Sequence, residues 1–315
     1  MGMTKMRQIV SALRTAGLVA MTALLLACKG GGDGNNGLGG GSSTQTGTYF
    51  SWMHNEIQSA WAQGFWGQGV SIKVIDTYQD TFLTGDLGNG LHSLTHGDWT
   101  KQEVTFIAPQ SDVDGIDYSL STPVALDPGL NVLNLSFGMK AAQGATLQWD
   151  GQTNSIIQYA QNGSAVVVKS AGNDYGAAVG AVDSNNTVDH LGLALVGAPS
   201  AIFVGALDRN GSVANPAPIA SYSSVAGNNT AVQSHFLVVG VEGGITGLYG
   251  TSFAAPIVSG YAAILGSKFT TATPSQITNQ LLQTARRDTI ANYSAAVHGQ
   301  GEASIANALA PQTIH

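Results

Sequence analysis

The chain has 315 residues, of which 43% are hydrophobic and only 10% charged, with a formal net charge of −7. Such a composition excludes a disordered polymer and a coiled coil, and it has length for one α/β domain of about 250 residues plus an extension. No basic patch is present, which argues against nucleic acid as a partner.

Lys5, Arg7 and Arg14 make a basic start, followed by an apolar run over residues 17–27 that is too short to span a bilayer comfortably. It ends in Leu25-Leu26-Ala27-Cys28, and Cys28 is the only cysteine, so an internal disulfide is impossible. The segment resembles a bacterial lipoprotein signal. That resemblance implies cleavage before Cys28, lipidation of Cys28 and export to the cell envelope, with a lipid bilayer as partner. Lys29, in place of a retaining aspartate, points to the outer membrane or cell surface. Removing residues 1–27 removes three basic and no acidic side chains, so −7 becomes −10. Residues 28–47 are rich in Gly, Ser, Asn and Thr and read as a flexible tether. A single domain is expected over residues 48–315.

Tyr49 to Gly64 carries Trp52, Met53, Ile57, Ala60 and Trp61 near helical spacing, and Gly67-Gln68-Gly69 reads as a turn. Val70 to Ile75 is a short β-rich run, the pattern of a buried parallel strand, with Asp76 at its C-terminal edge. In open α/β sheets that edge is where ligands bind. Residues 80–92 read as loop. His96 begins a short helix, for which Asp98 is the expected cap. Asn131 to Phe137 is a second strand, closed by Gly138. Gly151 to Asn162 is helical with Ile156, Ile157 and Ala160 inward. Ala165 to Val168 is a strand running into Ser170-Ala171-Gly172-Asn173. Ala201 to Ala206 and Phe236 to Gly240 are further strands, and Pro274 to Ala285 is a helix. Strands alternating with helices predict a three-layer α/β fold, a mostly parallel sheet covered on both faces.

Near the C-terminal end stands Gly250-Thr251-Ser252-Phe253-Ala254-Ala255-Pro256. Phe253, Ile257, Tyr261, Ile264 and Leu265 follow at spacings of three and four, which predicts one apolar helix face. Ser252 is thereby set at a helix N-terminus, where free N–H groups favour negative charge. Four polar positions lie at strand ends: Asp76, Ser136, Asn173 and the approach to Ser252. Adding His96 gives the chain order Asp, His, Ser, one of three convergent orders of the serine triad.

On these residues the chain resembles the subtilisin-like (S8) serine peptidases. Val74-Ile75-Asp76-Thr77 is similar to the family's aspartate motif, and His96-Gly97 with Ile107-Ala108-Pro109 to its histidine motif. Asn134-Leu135-Ser136-Phe137-Gly138 resembles the substrate-binding strand, Ala171-Gly172-Asn173 the oxyanion segment, and Gly250 to Pro256 the serine motif. Gly299-Gln300-Gly301 before Ala303 to Ala308 resembles the closing turn and helix. The resemblance implies a subtilisin-like fold and a serine endopeptidase that hydrolyses polypeptides. Ser252 is the implied nucleophile, His96 the base and then acid, Asp76 the partner of the imidazole, and Asn173 with the Ser252 N–H the oxyanion donors. Ser136, Phe137, Gly138, Ser170, Ala171 and Gly172 would flank the substrate pocket, for which Phe137 suggests an apolar preference. No cofactor is implied. Calcium sites occur in the family, but no dense acidic loop indicates one here. The expected state is a monomer.

Departures from the motifs are Thr77-Tyr78 after the aspartate and Asp98-Trp99 after His96. Trp99 is expected to narrow the cleft, and Asp98 to act on His96 if close. Between Cys28 and Trp52 only linker composition is found, so no pro-segment is expected there. Two other readings follow from the same residues. The drifted motifs suit a weakly active relative that serves as a surface binding protein. Ser252, Asp288 and His298 stand in the order of an α/β-hydrolase esterase. His92 is a rival to His96 but lacks the following glycine.

Overall fold

The protein is described from a computed structural model, in which residues 47–314 are described. The expected signal segment 1–27, Cys28 and the tether up to Thr46 lie outside them. In chain order, helix α1 (Glu56–Ala62) precedes strand β1 (Val70–Asp76). The hairpin β2 (Phe82–Gly85) and β3 (His92–Thr95) runs directly into α2 (His96–Ile107). Next come β4 (Asp112–Asp117), β5 (Leu130–Leu135), β6 (Lys140–Ala142), α3 (Gly151–Asn162), β7 (Val166–Ser170), β8 (Thr187–Asp189) and α4 (His190–Leu195). Then follow β9 (Ala201–Leu207), α5 (Thr230–Gln233), β10 (Phe236–Gly240) and α6 (Gly243–Thr246). A single 3₁₀ turn, Thr251–Phe253, leads into α7 (Ala255–Lys268), and α8 (Pro274–Gln283), α9 (Ala295–His298) and α10 (Ile305–Leu309) close the chain.

Six strands form one sheet in the order β10-β9-β7-β5-β1-β4, every pair parallel. Successive side chains on a strand point to opposite faces, and the core divides accordingly. Ile72, Val74, Val132, Val166, Val168, Ile202 and Val204 pack on one side, with α1, α2, α7, α8 and α10. Ile75, Leu133, Leu135, Val167, Phe203 and Leu207 pack on the other, with α3 and α4. This is the expected three-layer arrangement.

Four expectations change in detail. Residues 80–92, read as loop, contain most of the antiparallel β2–β3 hairpin. The sequence Asp112-Val-Asp-Gly-Ile-Asp117 gave no strand signal yet forms β4, at the edge of the sheet, where charged side chains are tolerated because one side faces water. α2 runs twelve residues, and its cap is Thr95, whose hydroxyl accepts the Asp98 N–H, rather than Asp98 itself. α7 shows no single apolar face, because Ala255 to Ser267 are all buried and the helix crosses the centre of the molecule.

Candidate active site

Asp76 ends β1 and is 1% exposed. Its Oδ1 accepts the Thr77 N–H at 2.7 Å and its Oδ2 the Thr100 hydroxyl at 3.0 Å. His96 Nδ1 lies 2.6 Å from the same Oδ1. A buried carboxylate on Nδ1 makes that nitrogen the protonated one and leaves Nε2 as the acceptor in the neutral ring. The His96 position is set by the α2 N-terminus, with the Gly97 N–H donated to Thr77 O at 2.8 Å. Gly97 is glycine of necessity, since a Cβ there would lie 2.6 Å from Thr77 O and 2.8 Å from the Tyr78 ring.

Tyr78, the bulky departure, folds back against Gly97 and Gly115 and donates its hydroxyl to Val74 O at 3.0 Å. Burial first, then the carboxylates of Asp76, Asp98 and Asp117, push its pKa up, so it is a fixed neutral donor. Trp99 does not narrow the cleft. Its indole is fully buried and donates to Leu83 O at 3.0 Å, fastening α2 to the hairpin. The Asp98 carboxylate is engaged by the Thr95 hydroxyl.

Ser252 sits in the 3₁₀ turn against which α2 packs, and the ring of the next residue, Phe253, is 5.8 Å from the His96 ring. Gly250 (φ +125°) makes the tight approach. Ser252 Oγ donates to Ser136 O at 3.2 Å, and no hydrogen bond joins it to His96 in this arrangement among the described residues. Ser136 Oγ donates to Ser252 O at 2.8 Å. Behind it, Asn134 Nδ2 donates to Ser136 Oγ and Ser259 Oγ to Asn134 Oδ1. Ser136 therefore supports the Ser252 backbone with its side chain, and only its main chain is left for other contacts.

Asn173 follows β7. Its Oδ1 accepts the Thr251 N–H at 2.8 Å and the Thr251 hydroxyl at 3.1 Å, which fixes the amide orientation. The opposite atom, Nδ2, has no hydrogen-bond partner among the described residues, nor has the Ser252 N–H. Two free donors thus lie at the Ser252 turn, an arrangement suited to a developing negative oxygen. Gly172 (φ +112°) donates its N–H to Thr251 Oγ1, and Ala171 donates to Val204 O. Ser170 ends β7, buried. Phe137 stacks on Tyr118 with ring centroids 5.4 Å apart. Gly138 lies against the carboxylate of Asp189.

Thr100 and Thr251 were not singled out from the sequence. Thr100 stands four residues after His96, one helical turn on, and so faces the same way. That spacing is the signal that could have found it. The network of Asn134 and Ser259 had no such signal, because the two are 125 residues apart.

Of the esterase set, His298 is turned elsewhere. Its Nδ1 accepts the Ser294 N–H at 3.1 Å, its ring stacks on Tyr293, and burial pulls its pKa down. His92 is exposed on β3. Among the described residues no three His, Cys, Asp or Glu side chains cluster as metal ligands.

Fold and site together describe a three-layer α/β framework in which Asp76 comes from β1, His96 from α2 and Ser252 from the turn before α7. The sequence model of the subtilase family, Peptidase S8, matches residues 91–303, and the chain belongs to that family. The match begins downstream of Asp76. Subtilisin DY of Bacillus licheniformis is 31% identical over 173 residues, 55% of this chain and 54% of that protein. Subtilisin NAT of Bacillus subtilis subsp. natto is 29% identical over 174 residues, 55% of this chain and 39% of that protein. The chain thus spans about half the length, or less, of these curated relatives. Among solved structures, the prenylagaramide maturation protease PagA is similar with a TM-score of 0.56 at 21% identity, covering 80% of this chain and 96% of that one. MycP1 from the ESX-1 type VII secretion system has a TM-score of 0.55 at 22% identity, covering 82% and 84%. At these identities the structural likeness bears on fold.

Proposed function

We propose that the protein is an exported, lipid-anchored serine endopeptidase that hydrolyses polypeptides through an acyl-enzyme. The observation that carries the reading is the 2.6 Å contact of buried Asp76 with His96, beside the turn that bears Ser252. In this reading the Ser252 hydroxyl turns from Ser136 O to His96 Nε2, gives up its proton there and attacks the scissile carbonyl. Asp76 stabilises the imidazolium that forms. The Asn173 amide and the Ser252 N–H hold the oxyanion. His96 then returns the proton to the leaving amine, and water repeats the sequence on the ester. Residues 136–138 and 170–172 offer main-chain groups to an extended substrate. Cys28 is the proposed lipid attachment, which would hold the domain at the bacterial envelope. No cofactor takes part, and the working unit is a monomer.

The test is labelling of the full chain, expressed in bacteria, with a fluorophosphonate probe, followed by membrane fractionation. The wild type is expected to be labelled in the membrane fraction. Ser252→Ala and His96→Ala are expected to lose the label, and Cys28→Ser to move it to the soluble fraction. A folded wild type that takes no label would overturn the peptidase reading in favour of a binding protein. Label that stays in the membrane fraction of Cys28→Ser would overturn the anchor.

A further inference from the structure

The two segments at the ends of β5 and β7, residues 136–138 and 170–172, share one feature that neither motif contains: an ion pair between a buried lysine and a partly exposed aspartate ties them together. Lys169 Nζ lies 3.0 Å from Asp189 Oδ2 and donates to Ser170 O at 2.8 Å. Asp189 Oδ1 accepts the Met139 N–H at 2.9 Å. A Cβ built on Gly138 would lie 3.0 Å from Asp189 Oδ2, so the carboxylate fills the space a side chain would take there. Lys169 comes from the end of β7 and Asp189 from the end of β8, so the pair spans the gap between the two segments. The Lys169 side chain is 2% exposed and that of Asp189 21%, so the group still within reach is the carboxylate. Burial alone would push the Asp189 carboxyl up, but the Lys169 ammonium and the N–H groups of Met139 and Gly192 outweigh it and hold the pKa below its ordinary value. Phe137, the expected apolar contact, is stacked on Tyr118.

We infer that Lys169 and Asp189 decide which residue is accepted just before the scissile bond: a short side chain that donates a hydrogen bond, such as Asn or Ser. The inference rests on the peptidase reading above, in which that side chain enters between the two segments. A large apolar side chain would strip water from the exposed carboxylate oxygen and supply no donor in return. An amide or hydroxyl replaces the water. The pair thus reverses the apolar preference expected from Phe137.

The test uses internally quenched peptides, identical but for Asn, Ser, Leu, Phe or Glu at that position. Fluorophosphonate titration gives the active fraction of each preparation. Wild type is expected to show kcat/KM at least tenfold higher for Asn and Ser than for Leu and Phe. In Lys169→Met with Asp189→Leu the pair becomes apolar side chains of similar volume, a replacement that buried ion pairs commonly tolerate. Its Asn-to-Leu ratio is expected to fall at least tenfold. Asp189→Asn keeps the shape and leaves the ammonium unpaired, so cleavage after Glu is expected to rise at least fivefold relative to Asn. It decides the matter if the double variant does not fold. A wild type that prefers Leu or Phe, or ratios that stay within twofold of wild type in the folded variants, would overturn the inference while leaving the peptidase reading intact. Absence of both labelling and cleavage in wild type would overturn that reading, and this inference with it.

Discussion

Asp76 accepts three hydrogen bonds, and each acts on the charge that steadies His96. The Thr77 N–H and the Thr100 hydroxyl hold the buried carboxylate aimed at His96. A hydrogen bond to a charged group contributes about 1.5–3 kcal/mol. Part of that is lost from the orientation of the imidazole if Thr100 loses its hydroxyl. Thr100→Val is therefore expected to lower kcat and the fluorophosphonate labelling rate about tenfold, with KM within twofold, and Thr100→Ser to restore both. Labelling of Thr100→Val at the wild-type rate would show that Asp76 is held well enough without it. The placement of Asp76, His96, Asn173 and Ser252 at or just beyond strand and helix ends was legible in the sequence because each stands in a short motif. Thr251, by contrast, sits inside the serine motif, but its hold on Asn173 depends on a contact across 78 residues.

Two helices carry the site, and their approach is set by one residue. Gly260 on α7 faces Ile107 on α2, and a Cβ there would lie 2.5 Å from Ile107 Cγ2. α2 begins with His96 and α7 follows Ser252, so this close packing fixes how far apart these two residues stand. Gly260→Ala is expected to destabilise the fold by about 1–3 kcal/mol through overpacking. Chemical denaturation measures the loss, and a value indistinguishable from wild type would mean that α2 and α7 can separate freely. At this scale sequence patterning succeeded where short runs are rich in β-branched and apolar residues, as in β1, β7, β9 and β10, all buried on both faces. It failed for β4 and for the hairpin. β4 carries three Asp among its six residues because an edge strand can turn charge to water, and the hairpin, whose strands are four residues each, has too little apolar content to read as strand.

The whole molecule is closed by charges that join distant parts of the chain. Arg286 binds Glu56 at 3.0 Å and Glu302 at 3.3 Å, and Glu56 also accepts the Ser304 hydroxyl and the Ala306 N–H, joining α1 to the C-terminal turn. Glu103 has no such partner. It is buried on α2, its Oε2 lacks a hydrogen bond among the described residues, and burial raises its pKa well above the ordinary value. Its unfolded pKa is about 4.3. Between that value and the raised one the folded chain binds more protons than the unfolded chain, so stability falls as pH rises through this window. Glu103→Gln removes the titration. Its melting temperature relative to wild type is expected to rise steadily between about pH 4 and pH 8. A gap that does not change with pH would mean that Glu103 is ionised in the folded protein.

Local order determined most of what could be read beforehand. Alternating strand and helix patterns dictated a covered parallel sheet, since a run buried on both faces has no other stable partner. The motifs named the residues at its C-terminal edge. Only the tertiary structure decided what surrounds them: Tyr78 against Gly97, Trp99 in the core and the Lys169–Asp189 pair between two strand ends. The reason is that burial and pairing of a polar side chain depend on which distant segment folds against it. Lys169 and Asp189 look like ordinary surface charges in the sequence and become a pair, with the lysine buried, only when the ends of β7 and β8 are brought together by the fold.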